Sequence, residues 1–267
     1  MFNVTKAGAI AVALAAAAIG CHRTTETVRT PTESSPIALT PVDPVPAGIA
    51  DQPWDTLDGN GWSYLRRTSS KDAAIVVDPT APLSPPHVLQ IVFTPDMRRD
   101  TEPGVNWTRL RSQPGEVSIT WAMKLSRNWS TSPAGGGKIA FLWAADGQGQ
   151  AYINVGGSTP PHRINVNTEW APYGQRVWEP NMTTTPINYD QWYQIEWYAR
   201  WATGRSADDG VVRWSVNGVV NGEHRNVRFP ACCFQQFEFA PTRQLPPRGE
   251  EYLYIDHTSI AARELGL

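Results

Sequence analysis

The strongest constraint on this chain is the way its side chains alternate in short runs. From about residue 51 onward, stretches of alternating apolar and polar residues recur between clusters of Gly, Pro, Asn and Asp. A period of two belongs to β-strands, whose successive side chains point to opposite faces. The run from Val117 to Leu125 shows it. Ile119, Trp121, Met123 and Leu125 fall on one face, and Ser118, Thr120, Ala122 and Lys124 on the other. Comparable runs cover 87–93, 138–143, 151–155, 163–167, 192–201, 211–217, 234–239 and 252–260. Asn217-Gly218 is a hairpin-turn signal between two of them. No run has a helical period and no internal repeat is visible. The pattern predicts one all-β domain over 51–267, a two-sheet antiparallel β-sandwich.

Composition narrows the partners. The formal net charge of the 267 residues is -2. Without a basic excess to neutralise phosphates, nucleic acid is not expected as a partner. All twelve tryptophans lie between Trp54 and Trp214. By alternation Trp121, Trp197, Trp201 and Trp214 face the core, which leaves Trp143, Trp170 and Trp178 as candidate ligand platforms. The last two sit in a stretch, 168–186, that reads as a long loop.

The polar faces of several strands share one character. They carry Gln150, Tyr152 and Asn154; Arg163, Asn165 and Asn167; Gln194, Glu196, Tyr198 and Arg200; and Arg213, Ser215 and Asn217. Planar donors and acceptors with interspersed rings suit a ligand rich in hydroxyls. If these strands are neighbours in one sheet, the face forms a broad groove. Nineteen arginines stand against four lysines. That bias suits bidentate recognition of carboxylate or sulfate, and genome composition explains it equally well.

The first 50 residues read differently. A short start with Lys6 is followed by an apolar run, Ala7–Ile19, too short to span a bilayer comfortably. It reads as the core of a signal peptide covering 1–20. Ala18-Ile19-Gly20-Cys21 resembles the lipobox of bacterial lipoproteins. The resemblance implies cleavage before Cys21 and lipidation of its thiol, so the membrane is reached through a lipid anchor only. Residues 21–50 then form a Thr/Pro-rich tether. His22 stands where Asp would signal inner-membrane retention, so the outer membrane or cell surface of a bacterial envelope is the expected location. Cys232 and Cys233 are adjacent and cannot staple distant segments; they read as two thiols beside Phe234, with a vicinal disulfide, which needs a strained local ring, as the alternative. The histidines have no metal-ligand spacing. No cofactor is expected, and the loops at 145–148 and 206–210 read as plain turns rather than calcium sites.

Five segments carry a further resemblance: Trp121-Ala-Met-Lys-Leu-Ser-Arg-Asn-Trp129, Gly137-Lys-Ile-Ala-Phe-Leu-Trp143, Gln191-Trp-Tyr-Gln-Ile-Glu-Trp-Tyr198, Val212-Arg-Trp-Ser-Val-Asn-Gly218 and Tyr252-Leu-Tyr-Ile-Asp-His257. In this order they resemble the concanavalin A-like lectin/glucanase superfamily. More narrowly, they are similar to jelly-roll polysaccharide-lyase-like proteins of the heparin-lyase and glucuronan-lyase groups. The resemblance spans roughly 54–262 and implies two stacked antiparallel sheets with the glycan bound on the concave one; the expected partner is an acidic polysaccharide, and a monomer is expected. A lyase must neutralise a uronic carboxylate, take the adjacent proton and protonate the leaving oxygen. Arg163, Asn165 and Asn154 are candidate neutralisers, and Tyr152, Tyr198, His162 and Lys138 candidate acids or bases. Asn167, Gln194, Glu196 and Arg200, with the three tryptophan platforms, are candidate binding residues. The Gln-x-His and Tyr-x-Lys-x-Gly strands of alginate lyases are absent. So is the paired-carboxylate strand of the glucanases, which disfavours a glycosidase. A non-catalytic glycan-binding module is the alternative.

Overall fold

The computed structural model describes residues 48–263, apart from 67–70, 112, 131–135, 146, 148, 171–173, 205, 230 and 231. The signal peptide, Cys21 and most of the tether lie outside the described residues.

Two antiparallel sheets face each other. The eight-stranded sheet contains β1 (Gly48–Gln52), β3 (Ala73–Val77), β4 (His87–Phe93), β6 (Glu116–Leu125), β11 (Trp192–Arg200), β12 (Gly210–Val216), β13 (Val219–Val227) and β15 (Glu251–Arg263). Its order is β13-β12-β11-β6-β15-β4-β3, with β1 also paired to β15. The seven-stranded sheet contains β2 (Trp62–Arg66), β5 (Gly104–Arg109), β7 (Gly136–Ala144), β8 (Gly149–Gly156), β9 (Arg163–Trp170), β10 (Gly174–Trp178) and β14 (Phe234–Phe239). Its order is β10-β9-β8-β7-β14-β5-β2. There is no helix among the described residues, and the all-β two-sheet expectation is met.

The core lies between the sheets because each strand turns its apolar set inward. Ile119, Trp121, Met123 and Leu125 of β6 are fully buried, as are Ile195 and Trp197 of β11 and Trp214 and Val216 of β12. Each such side chain contributes roughly 1.5–3 kcal/mol on burial. Register sets the neighbours. Trp197 lies between Ile119 and Trp214, so two indoles stand side by side across β11 and β12 with Ile119 beside them on β6. Two aromatic groups anchor the ends of the layer. Trp54, Trp62, Phe237 and Phe239 pack edge-on and stacked at 5.1–6.1 Å. Trp170, Trp201, Phe229 and Phe234 do the same at 4.8–5.8 Å.

The Asn217-Gly218 turn is made as expected. Both residues have positive φ, 51° and 75°, the conformation a tight hairpin needs. Asn217 also accepts the Gln194 N–H and donates its own to the Gln194 carbonyl, both at 2.8 Å, which ties the hairpin end to β11. Gly222 of β13 is a close-approach position. It lies opposite Trp214, and a Cβ there would overlap the indole ring. Gly222→Ala is therefore expected to cost about 1–3 kcal/mol through overpacking. A thermal midpoint lower by roughly 2–4 °C per kcal/mol would show it; an unchanged midpoint would contradict it.

One charged pair is buried deeply. Arg243 donates to Glu251 at 2.5 Å, and both side chains are only 4% exposed. The Arg243 guanidinium lies 4.6 Å from the Phe93 ring and 4.3 Å from the Trp129 ring. Glu251 also accepts the Ser130 N–H at 2.9 Å and hydroxyl at 2.6 Å. The carboxylate thus joins the start of β15 to the turn after β6.

Two sequence expectations fail. Residues 168–186 are not one loop: β9 continues to Trp170, and 174–178 form the edge strand β10. Cys232 and Cys233 are not two thiols but a disulfide between chain neighbours.

Candidate functional site

The outer face of the seven-stranded sheet gathers most of the polar residues singled out by alternation. On β8 Ala151, Ile153 and Val155 point inward, so Tyr152 and Asn154 point outward; on β9 Ile164 and Val166 point inward, so Arg163, Asn165 and Asn167 point outward. An irregularity between Lys138 and Ala140 in β7 lets Lys138 and Phe141 share the outer face, although they are three residues apart. Register then aligns them in rows. Phe141, Tyr152, Asn167 and Val177 form one; Lys138, Asn154 and Asn165 form another; Trp143, Gln150, Glu169 and Gln175 form a third. A cleft of about 650 Å³ opens over the first two rows. Asp100, Thr242 and Gln244 close one side, and Arg163 and Glu179 lie at its end. The Thr242 N–H donates to the Lys138 carbonyl at 3.1 Å, which holds that wall against β7.

Tyr152 is the floor. Its ring is fully buried, and its hydroxyl oxygen accepts Nδ2 of Asn167 at 3.2 Å and Nε2 of Gln175 at 2.7 Å. With two donors aimed at the oxygen, the phenolic proton is left to donate elsewhere, and a phenolate formed there would be held by the same two amides. Burial pushes the phenol above its ordinary value and the charge of Glu169 adds to that, while the bonds from Asn167 and Gln175 pull the other way. The Lys138 ammonium stands 4.4 Å from the Tyr152 ring centroid and 4.0 Å from a Glu169 carboxylate oxygen.

Several side-chain atoms on this face have no hydrogen-bond partner within the protein. They are the carbonyl oxygens of Gln150, Asn165 and Asn167 and the indole N–H of Trp143. Buried polar atoms are normally paired. Three acceptors and one donor left open on a single sheet face fit a ligand that brings its own hydroxyls.

Arg163 is paired with Glu179. Its guanidinium forks onto Glu179, with Nε to Oε2 at 2.9 Å and Nη2 to Oε1 at 3.3 Å. Glu179 raises Arg163, and Arg163 in turn holds the Glu179 carboxyl below its usual range.

The single groove drawn from the sequence divides in two. Gln194, Glu196, Tyr198 and Arg200 lie on β11 of the eight-stranded sheet, away from β8 and β9. Arg213 and Ser215 belong to that same sheet, on β12. Alternation assigns a face to each residue but not a sheet to each strand. Tyr198 donates to Glu116 at 3.0 Å, and burial, then the Glu116 charge, pushes its phenol far up. Arg200 donates to the Asp209 carbonyl at 3.1 Å. His162 is 1% exposed, and its ring nitrogens meet the Gly157 carbonyl at 3.1 Å and the Tyr189 hydroxyl at 3.2 Å. Burial pulls His162 down, so it is a neutral packing residue outside the cleft.

Of the tryptophan platforms, Trp143 lies half-buried on the groove face, stacked on Phe141 at 6.1 Å. Trp170 and Trp178 are 3% exposed and belong to the core. Gln175 was missed in the sequence because β10 was read as loop. Gln-Arg-Val-Trp has no polar and apolar alternation, so no local signal marks it as a strand. Of the two loops weighed for calcium, the second spends its acids internally: Asp208 accepts from Nε and Nη2 of Arg228, and Asp209 from the backbone N–H and the hydroxyl of Thr203.

No family model matches the chain, and no curated protein matches it in sequence. Solved structures do match. An endo-β-1,4-glucuronan lyase from the fungus Trichoderma reesei aligns at 16% identity and TM-score 0.55, over 76% of this chain and 92% of its own. The alginate lyase vAL-1 from Chlorella virus aligns at 10% and 0.55, over 76% and 94%. The cellulose induced protein Cip1 aligns at 12% and 0.53, over 81% and 99%. The chain therefore shares the two-sheet antiparallel sandwich fold of these solved structures.

Proposed function

We propose that the protein is a polysaccharide lyase-like protein that holds an acidic glycan on the outer face of its seven-stranded sheet and cleaves it by β-elimination. The carrying observation is the set of open acceptors, Gln150, Asn165 and Asn167, beside Lys138 and the amide-held hydroxyl of Tyr152. Sugar hydroxyls fill the acceptors. Lys138, Asn154 and Asn165 meet the uronic carboxylate and spread the charge that grows when the proton beside it leaves. That proton passes to a base, a double bond forms, the glycosidic oxygen departs, and Tyr152 supplies the proton it takes up. The likeness to glucuronan and alginate lyases supports this choice of substrate class.

The test is direct. Purified protein is incubated with a panel of polyuronates and glycosaminoglycans while ultraviolet absorbance of unsaturated ends is followed. Growth on at least one substrate is expected. Binding with no product on any of them sinks the lyase. It would leave a non-catalytic glycan-binding module, a reading favoured by one observation: the Tyr152 ring shows no surface to solvent.

The lipobox-like Ala18-Ile19-Gly20-Cys21 supports a lipid-anchored protein of the bacterial envelope, with the tether holding the sandwich off the outer membrane or cell surface. Cys21→Ser is expected to move the protein from the membrane fraction to the soluble fraction. Unchanged membrane retention would end that assignment.

A further inference from the structure

Strand β10 serves two cavities. Gln175 and Val177 face the groove, while Arg176 and Trp178 face a second cleft of about 510 Å³ between the edge strands β10 and β13. That volume lies within the range of small-ligand pockets, about 300–1,000 Å³. We propose that this edge cleft is a second binding site, separate from the groove, for a carboxylate-bearing sugar.

Three features define the ligand. First, the Arg176 guanidinium lies flat on Trp178, 3.8 Å from the ring centroid, and has no carboxylate partner among the described residues. A stacked guanidinium keeps its N–H fork free to meet a carboxylate edge-on. The other cation in the cleft, Arg228, forks onto Asp208 at 2.6 and 3.0 Å, so one positive charge is left unmatched there. Second, Trp170 lines the same cleft, and its indole N–H, buried with the rest of the ring, has no acceptor within the protein. An acceptor carried by a ligand would pair it. Third, Asn226 and Asp208 add amide and carboxylate groups able to meet hydroxyls. A small anion offers the Arg176 fork a partner but brings no hydroxyls to Asn226 and Asp208; a sugar acid can engage all three features.

The choice of a uronic sugar rests on the glycan reading of the groove, but the two sites have different reporters. Indole N–H resonances of the full protein are followed by heteronuclear NMR during titration with a β-1,4-linked glucuronic acid tetrasaccharide. The Trp170 signal is expected to move, and Arg176→Gln, at an exposed position, is expected to weaken that response about tenfold or more. Cellotetraose, which lacks the carboxylates, should be weaker by a similar factor, and inorganic phosphate should not reproduce the shift. Trp143 reports the groove in the same spectra. A Trp170 signal that stays still, responds equally to phosphate, or is indifferent to Arg176→Gln overturns the proposal. Loss of the Trp170 response in Lys138→Ala overturns it too, since the signal would then originate in the groove. A moving Trp170 with a still Trp143 keeps the edge site and counts against the groove.

Discussion

Tyr152→Phe should leave the sandwich folded and lower turnover of a polyuronate substrate by roughly a hundredfold to ten-thousandfold, the usual worth of a positioned proton donor. The substitution keeps the ring that fills the floor between Phe141 and Asn167. It removes only the oxygen that Asn167 and Gln175 address. The loss should fall on turnover with little change in substrate affinity, because the open acceptors of Gln150, Asn165 and Asn167 remain. The pH profile gives a second reading. A phenol raised by burial stays protonated at higher pH than the ordinary value of about 10. Its ability to donate a proton is therefore present through neutral pH and lost only as pH rises past the raised value. An alkaline fall in wild-type rate that starts well below pH of about 10, and that Tyr152→Phe abolishes, would contradict this role. So would a variant with wild-type turnover.

The second large effect concerns stability. Glu251→Leu is expected to cost about 3–5 kcal/mol, because it leaves Arg243 charged, buried and unpaired. Three donors, from Arg243 and from the Ser130 backbone and hydroxyl, lose their acceptor together. The midpoint of thermal unfolding should fall by roughly 6–20 °C. The double variant Arg243→Met with Glu251→Leu should recover most of the loss, since an apolar pair suits the ring surfaces of Phe93 and Trp129. Chemical denaturation of the two single variants and the double variant measures the coupling. A single-variant loss below about 1 kcal/mol would show that the pair is not as enclosed as its contacts imply.

What could be seen in the sequence follows from what alternation encodes. Central strands have a core on one side and solvent or ligand on the other, so alternation gives 87–93 and 234–239 their true ends and β6 and β11 theirs to within one residue, while it leaves β8 and β9 each three residues short. Edge strands carry less of that pattern. β10 has four exposed positions in succession before Trp178 and reads as loop, and with it went Gln175, one of the two amides that hold Tyr152. Lys138, Tyr152, Asn154, Arg163, Asn165 and Asn167 could be gathered because β7, β8 and β9 are consecutive hairpin strands. Tyr198 and Glu196 show the same alternation, yet β11 crosses to the other sheet. Nothing local in the chain distinguishes a strand that pairs with its predecessor from one that leaves it. Trp170 and Trp178 fail for a related reason: placed in a 168–186 loop they read as exposed platforms, and only the packing of Phe229 and His224 against them shows otherwise.

The placement of β15 bears on how such a chain matures. The last described strand is also a central one, hydrogen-bonded to β6 on one side and to β4 on the other, with β1 against its far end. During synthesis β4 and β6 therefore emerge with their shared neighbour still missing, and their backbone groups and inward Leu, Ile and Trp side chains have nothing to close on. Pairing over such separations is slow to begin and exposes sticky surface while it waits. The domain can lock only once β15 has been released, so the closing of both its neighbours waits on that one strand.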